Sequence, residues 1–351
     1  MLQVTRRVSS KQAIHIYRLR FSQLRDSRLV TPIFLFSLPR SGSTLLQRIV
    51  GAHPEVSTVS EPWILLPQLY ARRYVGAMTE YRHELSVRAI EDFSATLPRG
   101  SRDYEDELRT FALRLYTKAS NDGSVYFLDK TPRYHLIVDE IIDLFPDAKF
   151  VFLWRNPLAV IASIINTFGN GQWNVFRYEI DVVTGLRNLV SAWQREQQRS
   201  FALHYEDLVR DPLLVCDALF DYLSLKSAPG VVEEFGGVQL TGMMGDPGTR
   251  RHNTEERIRS DRVDGWEESL ANPARRAWCR LYLRKIGDDV LRPMGYDRTD
   301  LLKQLHRAPG SRAGFLGDLG RMAYGIGYKQ LDGLMRARNA HYSRGLTQSE
   351  D

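Results

Sequence analysis

The apolar positions of this chain fall into short dense runs separated by longer stretches with helical spacing. Residues 33–37 (Ile-Phe-Leu-Phe-Ser) are apolar and aromatic-rich, with Pro32 before them and Pro39 after. A run this short, bounded by proline, predicts a buried strand. Residues 43–50 place Leu45, Leu46, Ile49 and Val50 on one side of a predicted helix. Further strands are predicted at 125–128, 149–154 and 201–205, and helices at 134–145, 158–168 and 181–199. Residues 63–120 carry a mostly helical pattern broken at Leu97-Pro98-Arg99-Gly100-Ser101, and residues 52–63 are predicted as a loop. Alternation of strand and helix implies an α/β fold in which a mostly parallel central sheet is flanked by helices in three layers.

The two ends differ from this middle. Residues 1–28 set Ile14, Tyr17, Phe21 and Leu24 at near-helical spacing among arginines. Residues 312–336 do the same with Phe315, Leu319, Met322 and Ile326, interleaved with glycines. The expected organisation is a basic helical arm over 1–29, an α/β domain over 30–300, and a basic, glycine-rich amphipathic extension over 301–351. Each end is read as packing on the domain or on a second subunit of a homo-oligomer, or as touching a membrane surface.

Composition narrows the picture only slightly. With 351 residues, 43% hydrophobic and 26% charged, the chain has the make-up of an ordinary globular protein. The formal net charge of +6 is concentrated at the two ends, and the middle is mildly acidic. That distribution argues against a nucleic-acid groove across the fold. Cys216 and Cys279 lie far apart, without histidines at ligand spacing, which argues against a disulfide framework or a zinc site and fits a reducing compartment. No apolar run approaches the ~18 residues of a membrane span, and no apolar block follows the N-terminal arginines. The expectation is a cytoplasmic protein, with peripheral attachment to a membrane as the alternative.

The candidate chemistry lies where the predicted strands end. Between strand 33–37 and helix 43–50 stands Pro39-Arg40-Ser41-Gly42-Ser43-Thr44. A strand-turn-helix of this kind directs backbone N–H groups and the positive end of a helix at one point, which suits an oxyanion. It is not a Walker A loop, because no Gly-Lys-Ser/Thr occurs in the chain. In an open parallel sheet, ligands sit beyond the carboxyl ends of the strands. Arg40, Lys130, Arg155 and Tyr205 all leave such ends, so three cations and an oxyanion loop should converge on a polyanionic ligand. No carboxylate cluster suited to Mg²⁺ stands out, and no metal is expected.

At this point the sequence resembles the sulfotransferases that use 3′-phosphoadenosine-5′-phosphosulfate (PAPS), most closely the branch containing tyrosylprotein and bacterial enzymes. Residues Leu38 to Leu45 are similar to that family's 5′-phosphosulfate loop. Phe152-Leu153-Trp154-Arg155-Asn156-Pro157, continuing to Ser163, is similar to its 3′-phosphate motif. Glu61 in Ser-Glu-Pro, Asp129-Lys130-Thr131-Pro132, Tyr205-Glu206-Asp207-Leu208 and Gly265-Trp266 follow in the family's order, and the likeness runs over about residues 30–297. The resemblance implies a P-loop-type fold and PAPS as donor. It assigns Ser41, Gly42, Ser43 and Thr44 to the 5′-phosphosulfate, Arg40 and Lys130 to the bridging oxygen and sulfuryl group, and Arg155 and Ser163 to the 3′-phosphate. Glu61 becomes the candidate base, with His53 as runner-up and, as the bland alternative, Glu61 only pairing with Arg40 or capping a helix at Pro62-Trp63. Tyr205 is expected beneath the cofactor. Arg250, Arg251 and Trp266 belong to a glycine- and arginine-rich segment, 242–266, that could fold over the nucleotide.

The expected reaction is transfer to an acceptor hydroxyl of a small molecule, carbohydrate or glycolipid. The acceptor pocket is placed within residues 61–120 and 166–180, whose aromatics include Trp63, Tyr70 and Trp173. Two competing readings are an ATP- or GTP-dependent kinase and a non-catalytic nucleotide-binding or membrane-associated protein of the same fold.

Overall fold

In the computed structural model, residues 29–226, 230–242, 244–245, 258 and 263–331 are described. The expected N-terminal arm, Arg250 and Arg251 lie outside the described residues, as does the end of the chain after 331. Five strands form one sheet: β1 (Thr31–Ser37), β2 (Val56–Thr58), β3 (Tyr126–Asp129), β4 (Lys149–Trp154) and β5 (Ser200–His204), in the order β2-β3-β1-β4-β5. Every pairing is parallel.

Alternation along the strands builds the three layers. Phe34, Phe36, Phe127, Phe150 and Phe152 enter one core, stacked across neighbouring strands, with Phe34 and Phe150 6.2 Å apart and Phe36 and Phe150 6.0 Å apart. Ile33, Leu35, Leu128, Val151 and Leu153 enter the core on the other face. A central strand covered by helices on both faces has no polar side to show, which is why β1 reads as an unbroken apolar run.

The strand order also fixes where a ligand can enter. The chain leaves β1 toward the β2 edge and leaves β4 toward the β5 edge, so β1 and β4 flank a topological switch point. Their carboxyl ends therefore diverge and open a crevice.

Several elements differ from the expectation. The 52–63 segment, expected as a loop, contributes the edge strand β2, pinned by Thr58 Oγ1 donating to the Leu128 carbonyl at 2.8 Å. The 134–145 stretch divides into a 3-10 turn, Pro132–Leu136, and a helix, Val138–Leu144. The 181–199 stretch begins as a π-helix, Ile180–Gly185, before the α-helix Leu186–Glu196. Tyr205 opens a short helix, Tyr205–Arg210, rather than ending β5.

The helix Arg298–Leu305 straddles the boundary expected at 300, with Leu301 and Leu305 buried in the main core. The last described helix, Phe315–Leu331, turns Met322 and Gly325 inward, with Gly325 against the Phe176 ring. Leu319 and Ile326, expected on the same face as Met322, are exposed. The packed side is narrow because buried Asp318 rather than an apolar residue anchors it. Among the described residues no helix is long and apolar enough to cross a membrane.

Candidate active site

All five strands deliver a residue of interest within a few positions of their carboxyl ends. After β1 the chain turns through Arg40 and Gly42, both with left-handed backbone (φ 70° and 88°), into the helix Ser43–Gly51. Gly42 caps that helix without a side-chain hydrogen bond, and no acidic residue stands in its first turn. The helix's positive end is therefore left for an anion. Only glycine fits at 42, because a Cβ there would lie 2.2 Å from Tyr205 Cδ2.

Around this loop two groups of side chains assemble. In the first, Arg40 Nε donates to Ser163 Oγ at 3.2 Å, and its guanidinium lies 5.7 Å from the Phe168 ring centre. Arg155 donates through Nη1 to the Arg40 carbonyl at 2.7 Å and sits 4.3 Å over the Tyr205 ring. Burial pulls the Arg155 pKa below its ordinary value, though a guanidinium keeps its charge. The turn bearing Arg155 is braced from behind. The Asn156 side chain caps the helix Pro157–Gly169, and the Asn156 backbone N–H donates to Glu206, which also accepts from the Tyr296 hydroxyl. Arg40, Arg155, Ser163 and Tyr205 thus share one end of the crevice.

The second group stands at the ends of β2 and β3. Lys130, only 1% exposed, donates to Glu61 Oε1 at 2.9 Å and reaches Thr44 Oγ1 at 3.4 Å. The Trp63 indole N–H donates to the other carboxylate oxygen of Glu61 at 3.1 Å. The Trp63 backbone N–H donates to Thr131 Oγ1, which in turn donates to Asp129 Oδ1. Asp129 is the fully buried anchor of this ring and also accepts from the Tyr116 and Tyr134 hydroxyls. Burial outweighs these donors and pushes the Asp129 carboxyl up to about 6. Glu61 is therefore paired with Lys130 rather than with Arg40, and Arg40 leans toward Ser163 rather than toward Lys130. Gln47 fixes the approach to Glu61 by donating to Thr58 Oγ1 and the Val59 carbonyl.

Other candidates take structural places. His53 is buried against Phe220 and bonds the Lys226 carbonyl, on the opposite face of the sheet from the main aromatic core. Trp266 is buried in the main core. The sequence reading assigned no site role to Asp129, Thr131 or Phe168. Asp129 and Thr131 stand inside a quoted motif, but nothing in their spacing signals the hydrogen-bonded ring.

Helix-start N–H groups, three cations and a carboxylate thus stand together at the switch point of a parallel α/β sheet. The Sulfotransferase family profile matches residues 32–229, more than half of the chain, and the chain belongs to that family. Nodulation protein NoeE of Sinorhizobium fredii (strain NBRC 101917 / NGR234) is 28% identical over 302 residues, covering 78% of this chain and 68% of that protein. Protein-tyrosine sulfotransferase 2 of Gallus gallus is 24% identical over 233 residues, covering 62% of this chain and 59% of that protein. Among solved structures, the sulfotransferase domain from the curacin biosynthetic pathway is similar with a TM-score of 0.49 and 24% identity, covering 76% of this chain and 97% of that one.

Proposed function

We propose that the protein moves a sulfuryl group from PAPS to an acceptor hydroxyl, with Glu61 as the base. The observation that carries this reading is the placement of two cationic groups at either end of one oxyanion loop. Arg155, Ser163 and Tyr205 lie at one end, and Lys130, Thr44 and Glu61 at the other. That spread suits a donor with two separate anionic centres, a 3′-phosphate and a 5′-phosphosulfate.

The chemistry follows from these positions. The acceptor oxygen attacks sulfur in line while the S–O bond to the 5′-phosphate breaks, leaving 3′-phosphoadenosine 5′-phosphate. Negative charge grows on the bridging oxygen, where Lys130 and the N–H groups of Ser43 and Thr44 would stabilise it, with Arg40 and the serine and threonine hydroxyls on the peripheral oxygens. The acceptor proton passes to Glu61. Lys130 neutralises that carboxylate. An incoming phosphosulfate competes for Lys130 and frees a Glu61 oxygen for the acceptor, so donor binding prepares the base. Among the described residues no cluster of three or more His, Cys, Asp or Glu side chains could hold a metal ion. The roles given to Lys130, Arg40 and the loop need none.

Calorimetry with 3′-phosphoadenosine 5′-phosphate, AMP and ATP, without added metal, tests the donor. The 3′-phosphorylated nucleotide should bind best, and Arg155→Ala should weaken it about 10- to 100-fold, the size expected for one charge-assisted contact. Metal-dependent preference for ATP would overturn the reading in favour of a kinase.

A further inference from the structure

A cavity of about 580 Å³ opens beside Trp63, the residue whose indole N–H also bonds the Glu61 carboxylate. Its apolar wall includes Trp63, Leu66, Leu136 and Ile180. Its polar lining includes Arg73, Arg133, Asp139 and Glu140. The four charged residues among them, two of each sign, are already paired. Arg73 Nε donates to Glu140 at 3.0 Å, Arg133 Nε lies 2.7 Å from Asp181, and Arg195 lies 3.1 Å from Asp139. A pocket whose charges are internally satisfied gives a charged ligand no compensation for its lost hydration. An apolar wall beside fixed polar groups suits a neutral molecule with one apolar face and several hydroxyls.

Two features show that the cavity is held in shape rather than left over. Trp63 has left-handed backbone (φ 59°), which an aromatic residue adopts only under constraint. That conformation lets one side chain donate to Glu61 and wall the cavity together. Ile180 and Thr184 reach the lining from the π-helix Ile180–Gly185. Within that π-helix, fully buried Asp181 fixes both Arg133 and His135. π-helical turns are rare and gather at functional sites.

Resting on the sulfotransferase reading above, we propose that this cavity is the acceptor subsite. It takes a neutral, ring-sized hydroxyl compound, and Trp63 positions Glu61 for the acceptor that it also stacks against. A hexosyl unit and a simple phenol share this chemistry. Acidic peptides and membrane-embedded lipids do not, the first because both arginines of the described lining are already paired with carboxylates and the second because four charged side chains share that lining with the apolar wall.

The test uses the full chain saturated with 3′-phosphoadenosine 5′-phosphate. Saturation-transfer NMR would measure binding of methyl hexosides, 2-naphthol, n-octanol and an acidic tyrosine peptide, for wild type and for Ala77→Trp, which places an indole in the cavity. The expected result is binding of a methyl hexoside or 2-naphthol that Ala77→Trp abolishes while nucleotide affinity stays unchanged. Which of the two binds identifies the source. Preference for the peptide or octanol, or binding of every probe untouched by Ala77→Trp, overturns the acceptor assignment; so does binding of none. Failure to bind the nucleotide itself would instead defeat the donor reading. With the binding probe as acceptor, Trp63→Phe keeps the ring and loses the N–H. It should lower kcat about 10- to 100-fold with little change in acceptor KM, and should shift the pH profile of kcat. A change in KM alone would mean that Trp63 is only a wall.

Discussion

At the scale of single residues, Glu61 and Asp129 are two carboxylates of one hydrogen-bonded ring held in opposite ways. Glu61 faces the crevice and takes Lys130 and Trp63. Glu61→Gln keeps the shape and the indole bond but cannot accept a proton. Sulfuryl transfer should fall about 10²- to 10⁴-fold. Affinity for 3′-phosphoadenosine 5′-phosphate should stay within a few-fold, as read by single-turnover assay and calorimetry. Loss of nucleotide binding together with turnover would instead mark Glu61 as a support for Lys130. Asp129 has no route to the crevice and its pKa rises from 3.8 to about 6 because burial disfavours its charge. Between these values the folded chain holds a proton that the unfolded chain has released. Its stabilising contribution is therefore complete below about pH 4 and is lost as pH rises through about 6, a change on the order of 3 kcal/mol. Urea unfolding of wild type and Asp129→Asn from pH 4 to pH 7 should show the wild type losing ground to the variant by an amount of that order. Parallel curves would mean that Asp129 does not titrate in this range.

At the scale of elements, the sequence pattern revealed the strands best where they are buried on both faces. The aromatic run of β1 and the Phe-Val-Phe-Leu run of β4 can only be central strands, and Arg40 and Arg155 follow their carboxyl ends. β2 was not legible, because three residues at a sheet edge leave no run long enough to count. It is recognisable only through Thr58 and its bond to Leu128. The π-helix was hidden for a different reason. An extra residue in a turn barely disturbs an apolar period, so residues 181–199 read as one ordinary helix. Nor could spacing foretell that Lys130 would choose Glu61, or that Arg40 would turn to Ser163, since both are contacts between distant parts of the chain. The π-helix carries its own signal in Gly185, where a Cβ would lie 2.4 Å from His135 Nδ1. Gly185→Ala should push the buried His135 ring off Asp181, the carboxylate that also fixes Arg133. A stability loss of about 1–3 kcal/mol is expected from such overpacking. It should be accompanied by weaker binding at the neighbouring cavity with the nucleotide site unaffected. Thermal unfolding unchanged from wild type would show that the turn can relax without cost.

At the scale of the whole molecule, the segments after the sheet first extend the main apolar core, through Leu270, Leu283 and Leu291, and then close through a polar anchor. Leu301 and Leu305 still join the main core, and Gln304 accepts from the Asn156 side chain at the turn that presents Arg155. Beyond them the Phe315–Leu331 helix is held chiefly by one buried carboxylate. Asp318 accepts from Arg275 Nε at 2.6 Å, from Asn272 Nδ2 at 2.9 Å and from the Trp173 backbone N–H at 3.3 Å. It thus ties the last helix to the helix Pro273–Ile286 and to the segment following Gly171, whose carbonyl also accepts from Arg275. Removing one partner of such a pair leaves the other charge buried without compensation, which costs about 3–5 kcal/mol, whereas replacing both by apolar groups is often close to neutral. Asp318→Ala should therefore destabilise the protein by about that much in urea unfolding. The double variant Arg275→Met with Asp318→Leu should recover most of the loss. If the double variant is no better than Asp318→Ala, the hydrogen bonds to Asn272 and Trp173 hold the helix rather than the ion pair. If Asp318→Ala costs nothing, the helix is anchored by Met322 and by the packing of Gly325 on Phe176.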